Sequence, residues 1–372
     1  MPLALGFVGA GAIAGVHAEA ARRLGMRVAG VWDTNPAKGP AFAEKHPGVA
    51  VHASLDALLA DRGIPAVVVA VPNAAHADVA CRALAAGKHV LLEKPMATST
   101  AECDRIIQAM ERAGKGLQMG FVYRQAPLPR LVASLVAAGR LGRIYHAKAS
   151  MYRRRGVPGL GGWFTTRRES GGGPLIDLGV HVLDMVLHLC GQPAPLRASG
   201  ACYSTFGRRM KDYVFVDMWA GPPRLEGVCD VEDHATALVR FAGGLTVEIN
   251  VTWAMNIPDG ALPDGVALFG ERGGCHFPLL GERLVLATEE DGRIADVAPV
   301  VDARRALERA FESQLQGFAA MVETNAPPLA TAAEGRRVQS ILDAIAESSA
   351  ADREVEVRGA AAVTSCTSPG SP

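Results

Sequence analysis

The sequence predicts two unlike domains in one chain: an α/β domain with a parallel, doubly wound sheet, then an α+β domain with a largely antiparallel one. Three observations carry this. Over the first 120 or so residues, short apolar runs alternate with amphipathic helical stretches, the rhythm of parallel sheets. A glycine-rich turn lies directly between the first run and the first helix. From about residue 143 the pattern changes to strand-like alternation broken by a few long helices. The boundary is placed between 125 and 126, with the second domain running to 358; GAAAVTSCTSPGSP, 359–372, reads as a disordered tail.

In the first domain the strands are expected at LALGFV, RVAGVWD, AVVVAV, HVLLE and KGLQMGF, each short and apolar enough to be buried on both faces. AGVHAEAARRL, SLDALLA, HADVACRALAAG and STAECDRIIQAMERAG supply the helices between them. In the second, RIYHAKASMYRR, LRASGACYST, HATALVRF and LTVEINVTWA alternate like strands, with AGG at 242–244 as a hairpin turn. Helices are expected at 304–324 and 332–349, and a Pro/Gly-rich loop at 204–227.

Composition removes several functions. Lys plus Arg equals Asp plus Glu, so no basic face recommends nucleic acid or an anionic membrane. No apolar run reaches the 18 residues or so of a membrane span. The apolar N-terminus lacks the positive lead of a secretion signal. Seven singly scattered cysteines, with no CxxC pair, argue against a disulfide framework or structural zinc. A cytoplasmic protein is expected.

The turn reads Gly9-x-Gly11-x-x-Ala14 after a strand and at the mouth of a helix. Glycines there allow a tight turn and close approach to a pyrophosphate, and the helix start, Ala12 and Ile13, offers unpaired N–H groups. Asp33 closes the second strand at the distance expected of a carboxylate that holds ribose hydroxyls and repels a 2′-phosphate. The domain is therefore expected to be a Rossmann domain binding NAD, with NADP less favoured. Asn73 and His76 end the third long strand, and Glu93 and Lys94 the next, where open parallel sheets bind ligands. Asn73 reads equally as a helix N-cap, and Glu93–Lys94 as a solvated turn.

The stretch GGGPLIDLGVHVLDMVLHLCG, 171–191, is an apolar helix with one polar stripe: Asp177, His181, Asp184 and His188. Solvated faces usually carry Lys, Arg or Glu; this one has none, and buried Asp and His require partners. A site is favoured over a plain surface.

GFVGAGAIAGVHAEA, VPNAAHADVA, HVLLEKPMA, GGWFTTRRESGGGPLIDLGVHVLD, VEDHATALVRFAGG and the end pattern from SQLQGF onward together resemble the glucose–fructose oxidoreductase/inositol dehydrogenase (Gfo/Idh/MocA) family. The resemblance implies a Rossmann domain followed by an open, mostly antiparallel sheet whose face commonly forms homodimers or homotetramers. It implies NAD(P)-dependent oxidation or reduction at a secondary hydroxyl of a sugar or cyclitol, without metal. Carried over by motif, the catalytic residues are Lys94, Asp177 and His181, and the Lys94–Pro95 bond is often cis. It places Tyr123, Arg154 and Trp163 around the nicotinamide and substrate.

Imidazole titrates near neutrality, which makes His181 the expected acid/base. Lys94 would favour a developing alkoxide. Asp177 is expected either to accept from a substrate hydroxyl or to hold a cationic neighbour. Asp184 and His188 read as supporting or interdomain groups. The expected substrate is a sugar, inositol, aminocyclitol or aminoglycoside. Two other activities fit the same motifs: a redox-neutral NAD-dependent glycosidase, and a regulator that binds dinucleotide without turnover.

Overall fold

A computed structural model describes residues 2–215 and 218–359. The tail expected at 359–372 lies, beyond Gly359, outside the described residues.

The first sheet has six strands: β1 (Ala4–Val8), β2 (Arg27–Trp32), β3 (Ala50–Val51), β4 (Ala66–Val69), β5 (His89–Leu92) and β6 (Leu117–Met119). All pairings are parallel, in the order β3-β2-β1-β4-β5-β6. The chain reverses its winding between β1 and β4, so a crevice opens at their carboxyl ends. The sequence pattern misses β3, whose two residues are both exposed and make no apolar run.

Helices α1 (Ala12–Arg23), α2 (Lys38–Lys45), α3 (Leu55–Ala60), α4 (His76–Ala85) and α5 (Thr100–Ala113) flank this sheet, and α6 (Pro127–Ala137) leads out of it. Ser54 and Ser99 cap α3 and α5 by accepting backbone N–H bonds.

The second sheet has nine strands: β7 (Ile144–Tyr152), β8 (Pro195–Tyr203), β9 (His234–Phe241), β10 (Thr246–Thr252), β11 (Gly265–Gly270), β12 (Gly273–Phe277), β13 (Val285–Glu290), β14 (Arg293–Val297) and β15 (Val355–Glu356). Their order is β14-β13-β12-β11-β7-β10-β9-β8-β15, antiparallel except for β7 with β10. The hairpins from β11 to β14 lack a clean apolar alternation, which is why the sequence pattern does not resolve them. One face buries Ala147, Ala149, Val239, Val247, Ile249, Val251, Val266 and Leu268 against helices. The other face is open.

Four more helices follow: α7 (Arg167–Ser170), α8 (Val180–Leu189), α9 (Ala306–Thr324) and α10 (Ala332–Ala351). Although α9 lies in the segment assigned to the second domain, it packs on α1. Its Ala310, Phe311, Leu315, Phe318 and Met321 join the first domain's core, with Phe311 edge-on to His17 at 4.9 Å.

The apolar stretch Arg167–Leu189 is long and apolar enough to cross a membrane, but it lies inside the protein. It is not one α-helix, as the spacing predicted. Leu175–Gly179 forms a π-helical turn and the α-helix begins at Val180, so Asp177 sits on a widened turn of the kind often found at functional sites. Between Val180 and Leu189 only His181 and His188 escape full burial. Gly191 ends the helix with φ +75°, as its identity led one to expect.

Candidate active site

Gly9 has φ +95°, and a Cβ there would lie 2.2 Å from the Ala70 carbonyl oxygen. Only glycine lets β1 and β4 approach this closely. Gly11 is different: a Cβ would meet no protein atom within 4 Å, so its missing side chain leaves space for something outside the fold. Ala12 and Ile13 begin α1 with no side-chain cap and no acidic residue in the first turn. Free N–H groups and the positive end of the helix therefore face that space. Asp33 fixes the turn by accepting from Ala10 N (2.8 Å) and Asn35 N (2.8 Å), one bond per oxygen, with lone pairs to spare. These residues fit the pyrophosphate and ribose of a dinucleotide.

The other residues expected to touch cofactor are largely occupied by the protein. Asn73 is buried and donates to Ser170 O (2.8 Å), tying the end of β4 to the second domain. His76 is buried with its ring nitrogens at Pro95 O (2.7 Å) and Val71 O (2.9 Å). It holds two loops together instead of pointing outward. Glu93 accepts from His17 Nε2 (2.7 Å) and from Lys94 N (3.2 Å). His17 and Lys94 hold its carboxyl below the usual range in spite of burial. Through Glu93, His17 on α1 links the cofactor helix to the Lys94 turn, whose Lys94–Pro95 bond is cis. His17 carried no sequence signal beyond its place inside a helix.

Lys94 and Asp177 meet across the domains. Lys94 Nζ donates to Asp177 Oδ1 (2.9 Å) and to the Asp177 carbonyl (3.3 Å). Asp177 Oδ2 accepts from Trp253 Nε1 (3.0 Å), so each carboxylate oxygen already has a protein donor. Of the two roles the sequence left open for Asp177, holding a cation is the one this geometry displays. Burial opposes its charge, but Lys94, Arg153 and Trp253 together keep it below the ordinary carboxylate range. Trp253, fully buried at the end of β10, was legible in the sequence only as part of a strand.

His181 lies beside this pair. Burial and the nearby charges of Lys94 and Arg153 hold its imidazole well below the usual 6.5, against the pull of Asp177. It is neutral at physiological pH and can accept a proton. Tyr123 packs on it at 4.6 Å between ring centroids.

Of the three consecutive arginines, Arg154 was expected at the site, but it is exposed and pairs with Asp259 at 3.5 Å. Neighbours along an extended chain point to opposite sides, and Arg153 is the one whose charge reaches Asp177, His181 and Tyr123. Trp163 stacks on Phe164 (3.8 Å between centroids), which meets Trp253 edge-on at 6.5 Å. It belongs to the aromatic layer behind Asp177. Asp184 takes a two-pronged bond from Arg124 (2.6 and 3.0 Å), and Arg124 also donates to Glu334 (3.0 Å). Arg124 follows the last strand of the first domain and Glu334 opens α10, so Asp184 is an interdomain anchor.

The glycine turn, tied through His17 and Glu93 to the Lys94–Asp177 pair with His181 beside it, is compatible with a dinucleotide-dependent oxidoreductase on a two-domain scaffold. Comparison with known proteins agrees. Residues 3–121 match the oxidoreductase family with an NAD-binding Rossmann fold, and residues 130–276 match the GFO/IDH/MocA C-terminal domain. The chain belongs to the Gfo/Idh/MocA family of oxidoreductases. It is 29% identical over 363 residues to the D-glucoside 3-dehydrogenase of Escherichia coli, covering 96% of this chain and 98% of that one. It is 38% identical over 230 residues to a protein of Amycolatopsis mediterranei assigned as the oxidoreductase subunit of a UDP-kanosamine synthase, but covers only 60% of that relative. Among solved structures, levoglucosan dehydrogenase in complex with NADH and levoglucosan shares the fold, with a TM-score of 0.81 at 21% identity over 96% of this chain and all of that one.

Proposed function

We propose that the protein is an NAD-dependent dehydrogenase of a secondary hydroxyl on a glucose-like ring, with His181 as its acid/base. The sequence relatives, one named for the 3-position of a D-glucoside and one for a nucleotide sugar, favour a glucose unit substituted at its anomeric oxygen and oxidised at C3. The observation that carries the reading is the His181 imidazole, packed on Tyr123 and set beside the Lys94–Asp177 pair, where burial and the Lys94 charge favour its neutral form. Other polyols, inositols and aminocyclitols come second.

Bound NAD would supply the hydride acceptor, held by the Gly9–Gly11 turn and Asp33. The chain's own residues do the rest. His181 removes the hydroxyl proton at its free ring nitrogen. Lys94, one-fifth exposed and anchored by Asp177, directs an N–H toward the oxygen as charge builds there. Asp177 keeps Lys94 in place. Asp33 stands where a 2′-phosphate would be repelled and no arginine follows it, which favours NAD over NADP.

The open face of the nine-stranded sheet, with Tyr203 and Phe269 exposed, is the proposed face of a homodimer or homotetramer. The scattered thiols favour a reducing, cytoplasmic setting.

The test is NADH absorbance on mixing protein and NAD with methyl glucosides, nucleotide sugars, inositols and aminoglycosides. Turnover confined to glucose-based substrates is expected. Release of an aglycone without net NADH would replace this reading with a redox-neutral glycosidase, and tight NAD binding with no chemistry would make the protein a sensor.

A further inference from the structure

The three glycines before the polar stripe have no side chain with which to cap the helix that follows, and Leu175 begins its π turn without a side-chain cap of its own. The acceptor comes from elsewhere. Glu232, 4% exposed, places Oε1 at Gly173 N (2.8 Å) and Leu175 N (3.3 Å), while Oε2 faces Arg167 at 3.4 Å. Gly173 has to be glycine for this reason: a Cβ there would lie 1.8 Å from the Glu232 carbonyl oxygen.

The next residue completes a ring. The Asp233 carbonyl accepts from Trp253 N (2.9 Å) and from Thr252 Oγ1 (3.0 Å), and Trp253 returns its indole N–H to Asp177. The Asp233 carboxylate, through Oδ2, collects the N–H groups of Thr205, Phe206 and Gly207 at 2.8, 2.6 and 2.9 Å. That fixes the entry of the 204–227 loop. Asp177 N, in turn, donates to Gly173 O at 3.0 Å. Both supports of Asp177, its helical turn from one side and Trp253 from the other, therefore start from one dipeptide.

We infer that Glu232 is a positioning residue: by capping the turn that carries Asp177, it sets where Asp177 holds Lys94. It does not touch the reacting atoms. Its value as an acceptor lies in the two N–H bonds, which an amide oxygen also makes. Its loss lets the turn slide and the Lys94 ammonium swing free. This rests on the dehydrogenase reading only for its kinetic consequence, because the placement of Lys94 can be read without turnover.

Glu232→Ala and Glu232→Gln are compared with wild type, all saturated with NAD, by acetylating surface amines at pH 8 and mapping each lysine by mass spectrometry. With Asp177 displaced, Lys94 in Glu232→Ala should react at least threefold faster, while Lys115 and Lys148 keep their rates as internal references. Glu232→Gln should stay within about 1.5-fold of wild type. Where turnover is present, kcat in Glu232→Ala should fall about 10- to 100-fold with KM for NAD unchanged, the loss typical of a small misplacement at a reactive group. The proposal is overturned if Lys94 reacts equally in wild type and Glu232→Ala, or if Glu232→Gln behaves like Glu232→Ala. Should Glu232→Ala unfold and expose every lysine, the comparison passes to Glu232→Asp. Its carboxylate is too short to reach both N–H groups, so it must release Lys94 relative to Glu232→Gln. Absence of turnover in wild type would defeat the dehydrogenase reading while leaving the labelling result intact.

Discussion

The two ends of the polar stripe repeat one pattern, an aspartate with a histidine four residues on, and the fold uses them for different purposes. Asp177 meets a partly exposed Lys94 and an indole N–H, and Lys94, Arg153 and Trp253 keep it ionised. Asp184 meets the buried fork of Arg124, yet burial pushes its carboxyl up to about 6 against the pull of that guanidinium, and the like charge of Glu334 adds to the push. His181 packs on Tyr123 next to the Lys94–Asp177 pair. His188, whose imidazole burial and Arg124 push down to about 4, lies within reach of the Arg124–Glu334 ion pair. A motif supplies groups; the partner and the access to ligand decide whether they react or hold domains together.

The sharpest way to break this contrast is to remove the two histidines in turn. His181→Ala should lower kcat about 10²- to 10⁴-fold, the usual worth of a positioned acid/base. His188→Ala should leave kcat within about threefold, the range of a change outside the chemistry. Initial rates of NADH formation decide it, and equal losses would erase the distinction.

The cations give the next largest effect, in the opposite property. Arg124→Met strands the buried carboxylate of Asp184 and takes a partner from the partly buried Glu334, and breaking such a buried pair costs about 3–5 kcal/mol. Lys94→Met should cost less stability, because Asp177 keeps the Trp253 N–H and the nearby charge of Arg153, while abolishing most turnover. Urea unfolding alongside kinetics separates the two, and a Lys94 variant less stable than the Arg124 variant would contradict the assignment.

The smallest effect is a pH profile. A depressed histidine stays neutral to lower pH, so the base remains competent as pH falls through 6.5. The kcat/KM for sugar should change less than about twofold between pH 7.5 and 6.5, then fall at lower pH. An acid limb centred at 6.5 would show an unperturbed imidazole and sink the role given to Lys94 and Arg153.

What the sequence determined by itself is the set of features written within one strand–turn–helix unit. Gly9, Gly11 and Asp33 lie within 25 residues, and their roles follow from backbone sterics and the free N–H groups of a helix start. The polar stripe was visible too, because an apolar helix with unaccompanied Asp and His stands out against periodicity alone. The tertiary structure alone decided the partners. Lys94 reaches Asp177 across 83 positions, Trp253 reaches it across 76, and Glu232 reaches Gly173 across 59. It also chose Arg153 over Arg154, turned Glu93 and His76 inward, and widened the helix at Asp177 into a π turn. Hydrophobic periodicity is a local property that fixes which face of an element is buried. Which charged group lies across from it depends on how distant elements stack, and no local pattern records that.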